Sequence, residues 1–594
     1  MSRRKPRDLR ESLPGFRRLG GYLRPHLRRE RWMLLLGSVG LLAEVAMRLL
    51  EPWPLKYVVD GVVTARGGQI GTQPADLTFV LVAASVGLLA ITLLRAGFSY
   101  LSTLSFSLAG SRLLSEVRAD LFAHLQRLPM AFHDRARTGD LVTRVTSDVG
   151  RLKEVAVTAA LPLLGNTVTL VSMIVVVAFV DWQLALVMLL VFPSFFLMSA
   201  RLSRKINTVA RKQRLAEGSL ASHATESLAA MRVVKSYSLE SAMQETFRSS
   251  NKKSLKDGVK AKKLSAGLER KTDVMVGLAT SVVLFAGAQR VLAGAMTPGE
   301  LVVFLTYLKA AFKPMRDVAK YVGRIAQAAS SSERIVDVLD EVPTVTDRPD
   351  ARPAPAIAGD VEFRDVWLEY APGHPVLRGV DLKIPAGQRI ALLGPSGAGK
   401  SSLAMLLSRL CDPARGQVCI DGVDLRDMTL ESLRRQTAVV LQESVLFATT
   451  IEANIGYGAE DPTPEQVRDA ARLAGAHDFV TRLPDGYDTI VGERGATLSG
   501  GERQRIAIAR AAMRRAPVVI LDEAMTGLDR ETEAEVYGAL ERLTAECTTI
   551  MISHDLDAAL SCERVVWIED GRIVDDGAPE LVLARRSRGS HVAR

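Results

Sequence analysis

"ALLGPSGAGKSSLAMLL", residues 391–407, runs from an apolar strand through a glycine-rich turn into an apolar helix. The turn fits GxxxxGK[ST], with Gly394, Pro395, Ser396, Gly397, Ala398, Gly399, Lys400, Ser401 and Ser402 in order. Glycines let consecutive backbone N–H groups curl around phosphate oxygens, and the helix that follows adds the positive end of its dipole. Lys400 stands where it would neutralise the β and γ phosphates of a nucleotide, and Ser401 where it would ligate Mg2+. Downstream, "APVVILDEAMTGLD", residues 516–529, is an apolar strand that ends in Asp522 and Glu523. One carboxylate to hold a metal and one to activate water is what phosphoryl transfer to water requires.

The chain around these motifs has a different character. Its 594 residues exceed one ordinary domain, and 48% hydrophobic residues with a mean hydropathy of +0.13 sit beside 24% charged residues, which points to two unlike parts. Six apolar stretches, at about 32–62, 77–105, 155–180, 184–202, 274–292 and 300–322, approach the roughly 17–25 residues of a membrane helix. Between them, the basic segments 1–31, 111–153 and 201–272 alternate with "DGVVTARGGQIGTQPAD", "DWQ" and "AGAMTPGE", which are short and almost free of charge. The positive-inside rule makes the basic segments cytoplasmic, with the N-terminus and the nucleotide-binding half. It also accounts for the net charge of +10 without a nucleic-acid partner. The first apolar run lacks a small-residue cleavage site and is expected to be an uncleaved helix. Pro52 and Pro54 are expected to kink it near its outer end.

Helical spacing continues through the long cytoplasmic segments, so the membrane helices are expected to extend beyond the bilayer. The reading is a membrane domain over 1–339, a Pro- and Asp-rich linker over 340–358, and a nucleotide-binding domain with a basic tail over 359–594. Cys411, Cys419, Cys547 and Cys562 show no CxxC spacing and are expected to be reduced cysteines.

"TLSGGERQRIAIARA", residues 497–511, supplies the resemblance that unites these parts. Leu498, Ser499, Gly500, Gly501, Glu502 and Gln504 resemble the signature of ATP-binding cassette (ABC) proteins. "FHDRARTGDLVTRVTSDV" (132–149) and "ESLAAMRVVKSYSLE" (226–240) resemble the coupling regions of six-helix ABC exporters. The resemblance implies an all-α six-helix membrane domain followed by an α/β phosphate-loop ATPase domain. It also implies roles. Tyr370 would stack on adenine, Gln442 would join the Mg2+ shell, and Glu493 would be the exporter-type acid ahead of the signature. Asp529 would cross the dimer interface, His554 would contact the γ-phosphate, and the signature would close on the partner's ATP. Such a half-transporter works as a dimer, with itself or with a related chain. It exports or flips a small amphipathic substrate through the lipid bilayer of the plasma membrane, here bacterial in style. The alternatives are an exporter fold that works as an importer and one half of a heterodimer. "AMTGLD" and "SHDLDAAL" depart from the family's commonest wording without losing a catalytic position.

For the substrate, Lys309, Lys313 and Arg316 recur at helical spacing on one face of the sixth span, Arg95 lies in the second, and Glu44 and Arg48 are one turn apart in the first. A charge at mid-bilayer costs roughly 3 kcal/mol, which favours a wet, cationic cavity for an anionic amphiphile. The plainer reading has these cations snorkelling to headgroups or pairing with Glu44 and Glu51.

Overall fold

The computed structural model describes residues 9–66, 74–155, 161–371, 373–492, 495, 497–525 and 530–590. These fall into two compact units: 1–125 with 139–340, and 126–138 with 341–594.

The first unit is helical. It contains α1 (Leu9–Arg29), α2 (Arg31–Leu50), α3 (Trp53–Arg66) and α4 (Pro74–Arg127). After α5 (Met130–Arg135), which belongs to the second unit, come α6 (Thr138–Thr143), α7 (Val149–Val155), α8 (Leu161–Val180), α9 (Trp182–Ala229), α10 (Met231–Ser236), α11 (Glu240–Leu292) and α12 (Pro298–Leu339). The helix α4 has 54 residues and α11 has 53, so each is roughly 80 Å long, far beyond the hydrocarbon core of a bilayer. Among the described residues, Arg31–Val63, Thr78–Arg127, Pro162–Val180 and Glu240–Leu292 are long and apolar enough to cross a membrane. The expected span 184–202 lies on α9, where several side chains fall outside the described residues, and 300–322 lies on α12, whose charges lower its apolarity.

Local sequence explains the helix boundaries. Pro52 removes a backbone donor, and the first apolar helix breaks between Leu50 and Trp53. Asp181 of "DWQ" caps α9 by accepting from the N–H of Gln183 at 2.9 Å and of Leu184 at 3.1 Å. Thr297 and Glu300 cap each other's backbone at the start of α12. The core of this unit is an apolar seam in which Met173, Val177 and Val283 meet Tyr307, Leu308, Ala311 and Phe312 of α12. Gly40 lets α2 approach α4 closely: a Cβ there would lie 3.2 Å from the backbone N of Ser102.

The second unit is α/β. Its remaining elements are β1 (Val361–Ala371), β2 (His374–Ile384), β3 (Arg389–Leu393), α13 (Lys400–Leu407), β4 (Arg415–Ile420), β5 (Val423–Asp424), α14 (Leu430–Arg435), β6 (Thr437–Val440), α15 (Ile451–Gly456), α16 (Pro464–Leu473), α17 (His477–Arg482), α18 (Gly500–Met513), β7 (Val518–Asp522), α19 (Arg530–Thr544), β8 (Thr548–Ile552), α20 (Leu556–Leu560), β9 (Arg564–Glu569), β10 (Arg572–Gly577) and α21 (Pro579–Ser590). A smaller antiparallel sheet has the order β2-β1-β4-β5, and a larger one the order β10-β9-β3-β8-β7-β6. In the larger sheet β9, β3, β8, β7 and β6 run parallel and β10 pairs antiparallel at the edge. The central strands are buried apart from the partly exposed Arg389 and Asp522 at strand ends, as their near-continuous Val/Ile/Leu runs require.

Two boundaries differ from the sequence reading. Residues 126–138 pack with the cassette rather than with the helical unit. The expected linker 340–358 is tied down over much of its length: Arg352 N–H donates to Asp427 O at 2.9 Å, Ala354 N–H to Ser432 Oγ at 2.8 Å, and Ile357 N–H to Gln436 Oε1 at 2.9 Å. Its prolines suit an extended path along the domain, and its backbone donors find partners there.

Candidate active site

Strand order builds the site. The phosphate loop follows β3, His554 follows β8, Asp522 and Glu523 end β7, and Gln442 follows β6. These four strands are neighbours in the sheet, so their carboxyl ends bring four separate motifs to one edge.

Within the loop, Gly394 has φ +146°, and a Cβ there would lie 2.0 Å from the carbonyl oxygen of Ile568. Only glycine fits that contact. Buried Lys400 donates from Nζ to the carbonyls of Gly394 at 2.8 Å and Pro395 at 3.1 Å, folding back along the loop. Burial pushes its ammonium below the usual lysine range, while Glu523 and Asp522 pull the other way. Pro395, Ser396, Gly397 and Ser401 are exposed; Ala398, Gly399 and Ser402 are covered.

Ser401 Oγ donates to Asp522 Oδ1 at 3.2 Å. Burial raises the Asp522 carboxyl above its ordinary range, nearby Glu523 adds to this, and the Ser401 bond and Lys400 oppose it. A hydroxyl and a carboxylate converging on one point are hard oxygen donors of the kind that suit Mg2+. Glu523 is held from both sides: Gln442 Nε2 donates to Oε2 at 2.7 Å, and His554 Nε2 lies 3.0 Å from Oε1. Its backbone has φ +48°, a left-handed conformation that costs a non-glycine residue about 1 kcal/mol or more. Its N–H donates to Ile552 O at 3.0 Å, which keeps the turn tied to β8.

Tyr370 ends the exposed part of β1, and its OH sits 3.0 Å from Ser402 Oγ. Its backbone carbonyl accepts from Arg135 Nη2 at 2.6 Å. Arg135 was not singled out as a site residue in the sequence; its signal is the "FHDRAR" segment that packs with this unit. Ser499 starts α18 with a capping box, accepting from Glu502 N–H at 3.3 Å while Glu502 Oε2 accepts from its own N–H at 2.8 Å. Ser499 and Gly500 are exposed, whereas Leu498, Gly501 and Gln504 are buried. Gln504 accepts from Ser444, a residue the sequence reading did not name. Leu498 and Gln504 therefore support the turn from inside rather than offer it to a second nucleotide. Asp529 and Glu493 lie outside the described residues.

The charged residues expected to share one substrate cavity separate. Glu44 and Arg48 line a cavity of about 480 Å³ with Ser99, Ser102, Thr103 and Asn166. Arg95 instead pairs with Glu51. Lys309 and Lys313 lie on the exposed face of α12, opposite its buried seam at Leu308, Ala311 and Phe312, and do not line that cavity. The side chain of Arg316 lies outside the described residues. The helix α12 turns its apolar stripe inward, which forces its lysines away from the α2 cavity.

Comparison with known proteins agrees with this architecture. The family model described as "ABC transporter transmembrane region" matches residues 34–315, and that described as "ABC transporter" matches 377–526. The chain is 36% identical over 501 residues to the ATP-dependent lipid A-core flippase of Syntrophus aciditrophicus, covering 84% of this chain and 83% of that one. It is 34% identical over 575 residues to the ATP-dependent lipid A-core flippase of Thiobacillus denitrificans, covering 96% of each. The solved structure of a bacterial Atm1-family ABC exporter with ATP bound superposes with a TM-score of 0.74 at 29% identity, covering 95% of this chain and 96% of that one.

Proposed function

The chain belongs to the ABC transporter family, with an exporter-type membrane region and an ATP-hydrolysing cassette in one polypeptide, and from that premise we propose that it flips or exports an amphipathic lipid as a homodimer. ATP-driven export is the family's activity, and a half-transporter reaches it by dimerising. The observation that carries the reading of this chain is Glu523 at the carboxyl end of β7, gripped by Gln442 and His554 beside Lys400 and Ser401.

The roles follow from charge and position. Lys400 leaves its two loop carbonyls to meet the β- and γ-phosphates, which neutralises charge on the transferred group. Ser401, Asp522 and Gln442 would hold Mg2+, which would supply further neutralisation of the phosphates. Glu523 accepts a proton from the attacking water on a lone pair that Gln442 and His554 leave open, since each of its oxygens has only one of them as partner. His554 is the residue to contact the γ-phosphate. Tyr370 receives adenine, and Ser499 and Gly500 of α18 face the nucleotide of the second copy with their exposed turn. Glu523 and the signature are both intact, so two identical composite sites are complete without a diverged partner.

The lipid reading draws on the flippase relatives, the long apolar helices and a site for a polar head inside the helical unit. The family relation places the chain in a membrane, and we assign it to the bacterial inner membrane with its cassette in the cytoplasm. Reconstituted in liposomes, the wild type is expected to move a fluorescent lipid between leaflets only with hydrolysable ATP. Glu523→Gln is expected to abolish that movement, and movement that persists in this variant would overturn the assignment.

A further inference from the structure

Several charges within or at the ends of the apolar helices are closed off within the chain. Arg95 pairs with Glu51, Lys56 Nζ lies 3.1 Å from Glu300 Oε1, and Arg290 Nη2 lies 2.8 Å from Asp181 Oδ2. Glu44 and Arg48 are left open. Among the described residues neither forms a hydrogen bond or ion pair, although both are partly buried and both line the cavity between α2, α4 and α8. Lys309 and Lys313 are likewise unpaired among the described residues but lie on the exposed face of α12, whereas Glu44 and Arg48 are partly covered. Charges so placed and unpaired cost several kcal/mol unless water or a ligand meets them.

The rest of the lining is amphipathic. Ser99, Ser102, Thr103 and Ser107 repeat at helical spacing on α4, and Asn166 and Thr169 face them from α8. Leu41, Val45, Phe106 and Pro162 supply apolar wall. At about 480 Å³ the space suits a headgroup and the start of its chains rather than a whole lipid.

Glu44 and Arg48 are one helical turn apart, which sets their Cβ atoms roughly 6 Å from each other. An anionic head would satisfy Arg48 and meet repulsion from Glu44. A cationic head would do the reverse, and an uncharged sugar would bring no new counter-charge, leaving each side chain only the other one turn away. A head that carries phosphate and ammonium two carbons apart answers both. Among the described lining residues Phe106 alone is aromatic, too little for the aromatic box that quaternary ammonium groups favour. The free carboxylate calls instead for N–H donors.

We propose that this cavity binds a zwitterionic lipid headgroup with a primary ammonium, of the phosphoethanolamine type, its phosphate on Arg48 and its ammonium on Glu44. The hydroxyls of α4 and the Asn166 amide take the remaining oxygens, and the apolar wall takes the first carbons of the chains. This rests on the lipid-export reading above and names the cargo class for it.

The test uses the full-length protein in phosphatidylcholine vesicles to which phosphatidylethanolamine, phosphatidylglycerol or a glycosyl diacylglycerol is added. Half-maximal stimulation of ATP hydrolysis is expected at about tenfold less phosphatidylethanolamine than either competitor, the scale of one charge-assisted hydrogen bond. Glu44→Gln is expected to close the gap between phosphatidylethanolamine and phosphatidylglycerol, and Arg48→Gln to weaken the response to both. Equal or better stimulation by phosphatidylglycerol or by the glycolipid would overturn the proposal, as would an unchanged gap in Glu44→Gln. The wild-type series decides by itself if a variant fails to accumulate. If no lipid stimulates while hydrolysis still depends on Glu523, the headgroup assignment falls and the transporter reading stands.

Discussion

Glu523 and Glu44 are both carboxylates with limited access to water, but the first has one oxygen on Gln442 and the other on His554, while the second has neither oxygen engaged. The difference follows from what each meets. On the proposed reading, ATP is the same in every cycle, so the residues that would handle it can be pre-set and held by their neighbours, which spares reorganisation at the moment of reaction. A cargo site of the kind proposed at Glu44 has to be open to its guest until the guest arrives. An open site keeps its charges unpaired and draws binding energy from pairing them. Asp148 makes the contrast sharper within the helical unit. It is 1% exposed, accepts from Arg334 Nε at 2.7 Å and from Ser331 Oγ at 3.0 Å, and lines no cavity with Glu44. There the chain has closed a buried pair permanently.

Several substitutions bear on this contrast. The largest effect is expected from Glu523→Gln, which keeps the shape and removes the proposed proton acceptor: ATP turnover should fall by about a hundredfold or more, with nucleotide binding retained. Near-normal turnover would mean that the doubly held carboxylate is a structural strut. Next comes Asp148→Ala, which strands Arg334 without its counter-charge and should cost about 2–3 kcal/mol, below a fully buried pair because Arg334 is 39% exposed. The matching change at the open site, Glu44→Ala, should shift the thermal midpoint of the same detergent-solubilised protein little or upward, since no partner is stranded. Comparable losses at both positions would erase the distinction between closed and open pairs. Ser499→Ala removes a capping box and should destabilise the start of α18 by about 1 kcal/mol, read as faster hydrogen exchange over Gly500–Arg503.

The smallest effect concerns the cassette's thiols. Burial pushes Cys411 up to about 12, and it raises Cys419, Cys547 and Cys562 as well. A raised thiol value means less thiolate at a given pH, so at pH 8 Cys411 should alkylate on the order of a thousandfold more slowly than a free thiol. Mass spectrometry after brief iodoacetamide treatment measures this, and rapid labelling of native protein would contradict the burial.

The phosphate loop, the Asp522–Glu523 pair and the Leu498–Gln504 signature are legible in the linear chain because each is a local device. A glycine turn that cradles phosphate, a strand that ends in acids and a capped helix start are all written within a dozen residues. The apolar stretches are equally local, since length and hydropathy are properties of a segment. Contacts across the chain are another matter. Gln442 and Glu523 are 81 positions apart, and only the order β3-β8-β7-β6 makes them touch. The inward turn of Gln504 depends on Ser444, and the packing of 126–138 with the cassette depends on a surface formed by residues much later in the chain.

The six charges expected to share one substrate cavity show the same division. Their presence in apolar helices, and the expectation that they face something other than hydrocarbon, were determined by composition and by the cost of an ion in lipid. Which of them share a cavity was decided by helix packing: close approach at Gly40 brings α2 to α4, leaves Glu44 and Arg48 facing hydroxyls, and the apolar seam of α12 turns Lys309 and Lys313 elsewhere. A single helix sets which residues share its face, but only its neighbours determine what that face meets.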